Sequence, residues 1–441
     1  MAMLRSRGYV VTLVFAGALG VPIAAASFFF LQLATHLQGW LFTDLPEAIG
    51  FDEEPTWWPL PMVAVGGFLV ALTIRYLPGH GGESPVDGFG SAGTPAARDL
   101  AGITIASLVT LGFGAVLGPE APLIALGAGL AAWAVHLARH DAPAQAVAVI
   151  GAAGSFAAIS TLLGSPLPAA FLLLEVAGVG GAMTSVILVP GLLAAGIGSL
   201  IFVGLDSLTG LGTVSLTIPD LPSAGSPTVS EFGWALVIGV AAGLLGSGIH
   251  RLGAALRPWV EQRLLLATTA AGLAVGALAV LYAVVTDKDS SDVLFSGQAA
   301  VAPLVDHSAD YSVGALLLLL VCKGVAYGVS MSSFRGGPVF PALFLGAAGG
   351  IAMSHLPGLQ LVSAVAMGIG AMCVTMLGFP LVSVMLATLL LLSDGLEVMP
   401  LVIVAVVVAY VVRAWLWPHG TAPGTTTPDA SQDVSGSPAP P

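Results

Sequence analysis

One acid inside a long apolar run constrains this chain more than any other feature. The run is Gly114-Ala-Val-Leu-Gly-Pro-Glu-Ala-Pro-Leu-Ile-Ala-Leu-Gly127, with Glu120 at its middle. A carboxylate is costly in apolar surroundings, so one placed there marks an ion or proton pathway by default. Pro119 and Pro122 bracket it, and proline is tolerated in the first turn of a helix, where an N–H has no intrahelical partner anyway. Gly118 permits a sharp turn and a close approach. The pattern predicts a helix that begins within the membrane with its free amides and positive dipole end facing inward. Such an end attracts anions, and the Glu120 carboxylate stands where it can fill that place itself.

Composition supplies the membrane. Hydrophobic residues make up 56% of the chain, charged residues 8%, and mean hydropathy is +0.97, which excludes a soluble globular protein and gives an all-α polytopic membrane protein. The run from about Tyr9 to Leu33 is too long for a cleaved signal and reads as the first span. Cys322 and Cys373 fall in apolar segments and read as packing residues. The formal charge of −12 comes largely from acids in loops, Asp44 to Glu54 and Asp287 to Asp292, so it implies no nucleic-acid surface. Arg5, Arg7 and Arg413 place positive charge at both chain ends, which favours cytoplasmic termini. There is no His/Cys/Asp cluster at metal spacing and no nucleophile motif, so neither cofactor, metal nor enzymatic activity is expected.

Several apolar segments are shorter than the ~20 residues a full crossing needs, as re-entrant or half-spanning helices are. Three breaks stand out: Pro78-Gly-His-Gly-Gly-Glu-Ser-Pro85, Gly118-Pro-Glu-Ala-Pro122 and Gly336-Gly-Pro-Val-Phe-Pro341. The second and third answer one another, Gly118 and Gly336 lying 218 positions apart, near half the chain. With weaker matches at 239–252 and 296–303 in the same order, this predicts an internal repeat of two halves with broken helices. They run over about 10–205 and 231–415 within one transmembrane domain (1–417), and a disordered Pro/Ser/Thr/Gly tail follows at 418–441. A binding site is then expected between the halves. Its candidates are Gly81, Gly82 and Ser84 at the first break, Gly118 and Glu120 at the second, and Gly337, Val339 and Phe340 at the third. Arg335 lies just outside that third break. Glu175 reads as structural or vestibular, and Asp394 and Glu397 as vestibule or cap residues.

With these pieces in order the chain resembles the CLC family of chloride channels and proton-coupled chloride transporters, over roughly residues 10–415. Gly118-Pro-Glu-Ala-Pro122 is similar to the family's G-[KR]-E-G-P and Gly336-Gly-Pro-Val-Phe-Pro341 to its G-x-F-x-P. The resemblance implies that Glu120 is the gating glutamate and that the amides of Val339 and Phe340 are anion ligands. It also implies two inverted-topology repeats and a homodimer in the lipid bilayer, each subunit with its own pore; the setting expected is a bacterial-type plasma membrane.

Three departures bear on function. Gly82 stands where the family's G-S-G-I-P loop has its anion-contacting serine, with Ser84 nearby. Gly395 stands where the family has the tyrosine that closes the inner side of the site. Val176 stands at the internal proton-relay glutamate, and an apolar residue cannot carry a proton. The expectation is passive, channel-like conduction of chloride or a similar monovalent anion, gated by Glu120. A proton–chloride antiporter with another inner proton route, or a fluoride- or nitrate-selective variant, is the alternative. Glu83 is the objection to either reading if it faces the pore, because a second negative charge repels anions.

Overall fold

A computed structural model describes residues 7–88, 93–177, 182–211 and 225–417. The expected tail at 418–441, Arg5, part of the polar connection between the halves and the Asp394 side chain lie outside the described residues. What is described is nearly all helical. The first series is α1 (Arg7–Gly39), joined by a π-helical turn to α2 (Leu45–Ala48), then α3 (Pro59–Tyr76), α4 (Leu100–Gly112), α5 (Glu120–Ala138), α6 (Ala144–Leu163), α7 (Pro166–Ala177) and α8 (Ala182–Thr209). The second is α9 (Val229–Gln262), α10 (Leu264–Thr286), α11 (Val301–Asp306), α12 (Val313–Ser333), α13 (Val339–Ser354), α14 (Leu361–Leu377), α15 (Pro380–Leu390) and α16 (Leu392–Leu416).

Among the described residues nine helices are long and apolar enough to cross a membrane, while the apolar cores of α7, α13, α14 and α15 are too short. Local chemistry explains many of the ends. Thr228 and Glu231 form a reciprocal capping box at the start of α9. Gly164 and Gly378, both left-handed, end α6 and α14. The longer spans keep large apolar side chains on their outer faces, such as Val237 and Leu244 of α9 or Leu281 and Val285 of α10, as a lipid-facing surface requires. By contrast α14 is buried along almost its whole length, between α13, α9, α16 and α15.

The two halves repeat one packing device. From the second break α5 runs back against α6, and from the third α13 runs back against α14. Each pair meets through reciprocal glycines, Gly127 with Gly154 and Gly346 with Gly368, where each backbone carbonyl occupies the space a neighbouring Cβ would need. Gly127 and Gly346 stand nine positions beyond Gly118 and Gly337, so the structural equivalence runs from Gly118 to Gly337, one residue later than the sequence match to Gly336.

A Cβ on Gly346 would lie 2.5 Å from the Gly368 carbonyl oxygen and 2.6 Å from Ile369 Cα. Gly346→Val should therefore destabilise the protein by about 1–3 kcal/mol, as overpacking of a close-packed interior does. Gly248→Ala, on α9 with nothing near its Cβ position, should leave the melting temperature in detergent unchanged. Equal melting of the two variants would refute the glycine contact.

Candidate functional site

The second and third breaks meet at the centre of the molecule. Gly118 N–H donates to the Gly337 carbonyl at 2.8 Å and Gly337 N–H to the Gly118 carbonyl at 2.6 Å, a two-bond antiparallel bridge. Just past it α5 and α13 begin, at Glu120 and Val339. Glu120 turns across the bridge onto the other helix, where Oε1 accepts from Phe340 N–H at 2.9 Å and the Val339 amide also bears on the carboxylate. The side chain is 1% exposed, and Oε2 has no partner. Both bridge glycines are obligatory, because a Cβ on either would overlap the carboxylate. A negative charge at a helix N-terminus is favourable, but one bare oxygen leaves this one only partly compensated.

Two cavities flank this point. One, of about 560 Å³, is lined by Gly79 to Glu83, Ile103 and Ser107 of α4, Ala121 and Pro122, and Arg335 with Gly336. The other, of about 510 Å³, reaches Leu111 one turn further along α4, Pro119, and the loop Ser291 to Ala300. Pro119 faces one cavity and Ala121 the other, and Glu120 lines neither. Glu120 thus lies between residues that line the two cavities.

Of the first-break candidates, Gly81 and Gly82 line the 560 Å³ cavity, while Ser84 lines a neighbouring cavity of about 420 Å³ with Asp87 and Arg257. Gly82 N–H is spent on the Gly79 carbonyl at 2.9 Å, within a loop where Gly79, His80, Gly81 and Gly82 all have positive φ. Glu83 does face this region, lining both the 560 Å³ and the 420 Å³ cavity. Glu175 accepts from Leu381 N–H at 3.0 Å and Val382 N–H at 2.8 Å, so it caps α15. Val176, next to it, packs against the apolar core. Gly395 is buried so closely against the Thr388 carbonyl that no side chain fits there. Glu397 is exposed on α16.

Lys323 stands outside the residues the sequence singles out, although a lone cation in the apolar α12 carries the same signal as Glu120. It is fully buried and donates to the carbonyls of Asp292 (2.9 Å), Val293 (3.2 Å), Leu294 (2.9 Å) and Phe295 (3.4 Å), 4.3 Å above the Phe344 ring. Asp292 Oδ2 in turn accepts from Tyr311 at 3.0 Å and Tyr282 at 3.3 Å. Phe295 N–H donates to the Gly114 carbonyl at 3.2 Å. Lys323 thereby fixes the loop that walls the 510 Å³ cavity and ties it to the segment leading into Glu120. Beside that loop, Ser290 donates to Glu54 at 3.3 Å. Burial, then the Asp289 charge, push Glu54 up to about 7, against the Ser290 hydrogen bond. Among the described residues no cluster of three or more His, Cys, Asp or Glu could hold a metal ion.

The sequence profile of a family described as voltage gated chloride channel matches residues 66–414. The YfeO ion-transport protein of Salmonella paratyphi A is 28% identical over 324 residues, 73% of this chain and 75% of that protein. Its counterpart in Escherichia coli O7:K1 is 27% identical over 351 residues, 77% and 78% of the two chains. Among solved structures, a slow cyanobacterial Cl−/H+ antiporter superposes with a TM-score of 0.73 at 18% identity, covering 92% of this chain and 94% of the other. A CLC-type fluoride/proton antiporter gives 0.68 at 21%, covering 91% and 95%. At such identities the likeness is one of fold.

Two measurements check the wiring of the 510 Å³ cavity. Lys323→Met leaves four carbonyls without their donor and should cost about 3 kcal/mol or more of stability. Lys288→Met removes only a cation over the Tyr311 ring and should cost under about 1 kcal/mol. Similar melting shifts for the two would refute the structural role of Lys323. Glu54 keeps its proton in the fold where an ordinary glutamate has lost it. The stability this contributes is complete below the ordinary value of 4.5 and is lost as the pH rises through about 7. Between about pH 5 and pH 8 the melting temperature should fall further in the wild type than in Glu54→Gln. Parallel curves would show that Glu54 titrates normally.

Proposed function

Because the chain belongs to the voltage gated chloride channel family, we propose that it carries chloride or a similar monovalent anion passively along the line of its two cavities, with the Glu120 carboxylate as the gate. Anion transport across a membrane follows from the family, which is one of channels and transporters rather than enzymes. The passive mechanism and the gate are the proposal. One observation carries it: the Glu120 carboxylate sits on the first amides of α13, between the cavities, where a small anion would otherwise bind. In this position the pathway is closed by the protein's own anion. Opening it requires the carboxylate to leave, through protonation or competition from a permeating anion.

Two further observations support conduction without proton coupling. Val176 offers no proton site, and its neighbour Glu175 is engaged by two amides of α15. Nor is there room for a side chain at Gly395, the position where the family has its closing tyrosine. The exchanger remains the second reading, favoured by the fold's likeness to two proton-coupled antiporters. The setting we propose is a bacterial inner membrane, as the relatives from Salmonella and Escherichia coli suggest, with both termini cytoplasmic and the chain a homodimer holding one path per subunit.

Glu120→Gln, which no longer competes as an anion, should raise chloride efflux from proteoliposomes several-fold and abolish its pH dependence. Unchanged flux and unchanged pH dependence would remove Glu120 from the gate. With internal pH recorded, a chloride gradient should drive no uphill proton movement in the wild type. Proton pumping would establish the exchanger, and passage of fluoride or nitrate without chloride would reassign the anion.

A further inference from the structure

Three residues of α12, Lys323, Tyr327 and Ser330, are spaced four and three apart and so share one helix face. Each holds a different segment around the bridge. Lys323 holds the loop Asp292 to Phe295. Ser330 Oγ accepts from Val116 N–H at 3.1 Å, just before Gly118. Tyr327, fully buried, donates its hydroxyl to the Pro338 carbonyl at 2.7 Å, just past Gly337. Pro338 is the N-cap of α13, the helix whose first amides receive Glu120. The Tyr327 hydroxyl is within electrostatic reach of the Glu120 carboxylate, as Cys373 on α14 is.

A buried tyrosine hydroxyl needs an acceptor in any fold. What singles out this one is that its acceptor shares a peptide with a ligand of the carboxylate. The Pro338 carbonyl and the Val339 N–H belong to one trans, planar peptide unit, so they point in opposite directions and turn together. A partner on the carbonyl therefore sets the aim of the N–H, and the Val339 N–H bears on the Glu120 carboxylate. The same bond polarises the peptide, which makes its N–H the stronger donor. We propose that Tyr327 is a positioning residue for Glu120: by holding the Pro338 carbonyl it keeps the Val339 N–H aimed at the carboxylate and so strengthens the closed state of the path. This rests on the reading of Glu120 as the gate. Without the hydroxyl the peptide is free to rock, and the seat of the carboxylate loses part of its positive character. Phe340 N–H keeps its own contact, so the seat is weakened rather than lost.

Tyr327→Phe keeps the ring and removes only the hydroxyl. Ser160→Ala is its control, since Ser160 Oγ is equally buried and also donates to a carbonyl, that of Ala195 at 2.6 Å, between α6 and α8. Both variants should melt slightly below the wild type. The readouts are chloride efflux from proteoliposomes against pH, and hydrogen exchange of the segment beginning at Pro338, followed by mass spectrometry. In Tyr327→Phe the carboxylate is held less well as an anion and yields to protons sooner. The pH of half-maximal efflux should therefore rise by about half a unit, roughly threefold in proton concentration. The Val339 and Phe340 amides should exchange several-fold faster. Ser160→Ala should change neither readout. Three results would each overturn the proposal: an unmoved midpoint in Tyr327→Phe where Glu120→Gln has lost its pH dependence, an equal shift in Ser160→Ala, or unaltered exchange at Val339. The gate is judged separately by Glu120→Gln. Faster exchange in Tyr327→Phe beside unaltered flux and pH dependence in Glu120→Gln would refute the gate and leave Tyr327 as the residue that holds the Val339 amide.

Discussion

Inside an apolar molecule the Glu120 carboxylate needs a donor, and it finds one 220 residues away, at the first amides of α13. Much of the architecture is the cost of bringing those groups together. The two breaks must lie side by side, so the halves face each other across the Gly118–Gly337 bridge. Both bridge residues must lack a Cβ, since the carboxylate occupies that volume. The helices that leave the bridge must then run back closely enough for α6 and α14 to seal them, which the reciprocal glycine contacts achieve. The bare Oε2 shows that this interaction is incomplete. That incompleteness fits the gate proposed for Glu120, because a fully satisfied carboxylate would have less reason to yield to a passing ion.

The centre of the site was legible because its signals are local and chemically expensive. A carboxylate in an apolar run, with proline and glycine around it, has few physical interpretations, and the residues that meet at the bridge are those such a reading picks out. The repeat was legible to within one position: with glycine at both 336 and 337, only the backbone pairing decides which one answers Gly118. The first break resisted for a different reason. Its conformation depends on four consecutive residues at positive φ, and nothing local says that the Gly82 amide turns back to Gly79 or that Ser84 belongs to the adjoining cavity. Gly395 marks the same limit. The missing tyrosine is visible in the chain, whereas the Thr388 carbonyl that forbids any side chain there is a tertiary fact.

Lys323 and Arg335 show how alike two buried cations look in sequence and how differently the fold treats them. Lys323 meets the last carbonyls of a tight loop, four acceptors for one ammonium, and its charge is consumed in holding that loop against the approach to Glu120. Arg335 meets one carbonyl and keeps a donor unmet beside open space. Burial is common to both, so it cannot show which charge the fold consumes. The count of satisfied donors does.

The same accounting extends to the two cavities. On the 510 Å³ side the Lys323 ammonium is held by carbonyls and Asp292 by two tyrosines, while Lys288 and Asp310 also line the space. The opposite side carries Arg335, which forms no ion pair among the described residues, together with Arg257 and the acids Glu83, Asp87, Asp99 and Glu261. Neither lining is net positive, so the charges around the cavities do not by themselves favour an anion on one side of Glu120 over the other, and the amides that Glu120 occupies are the positive feature common to both.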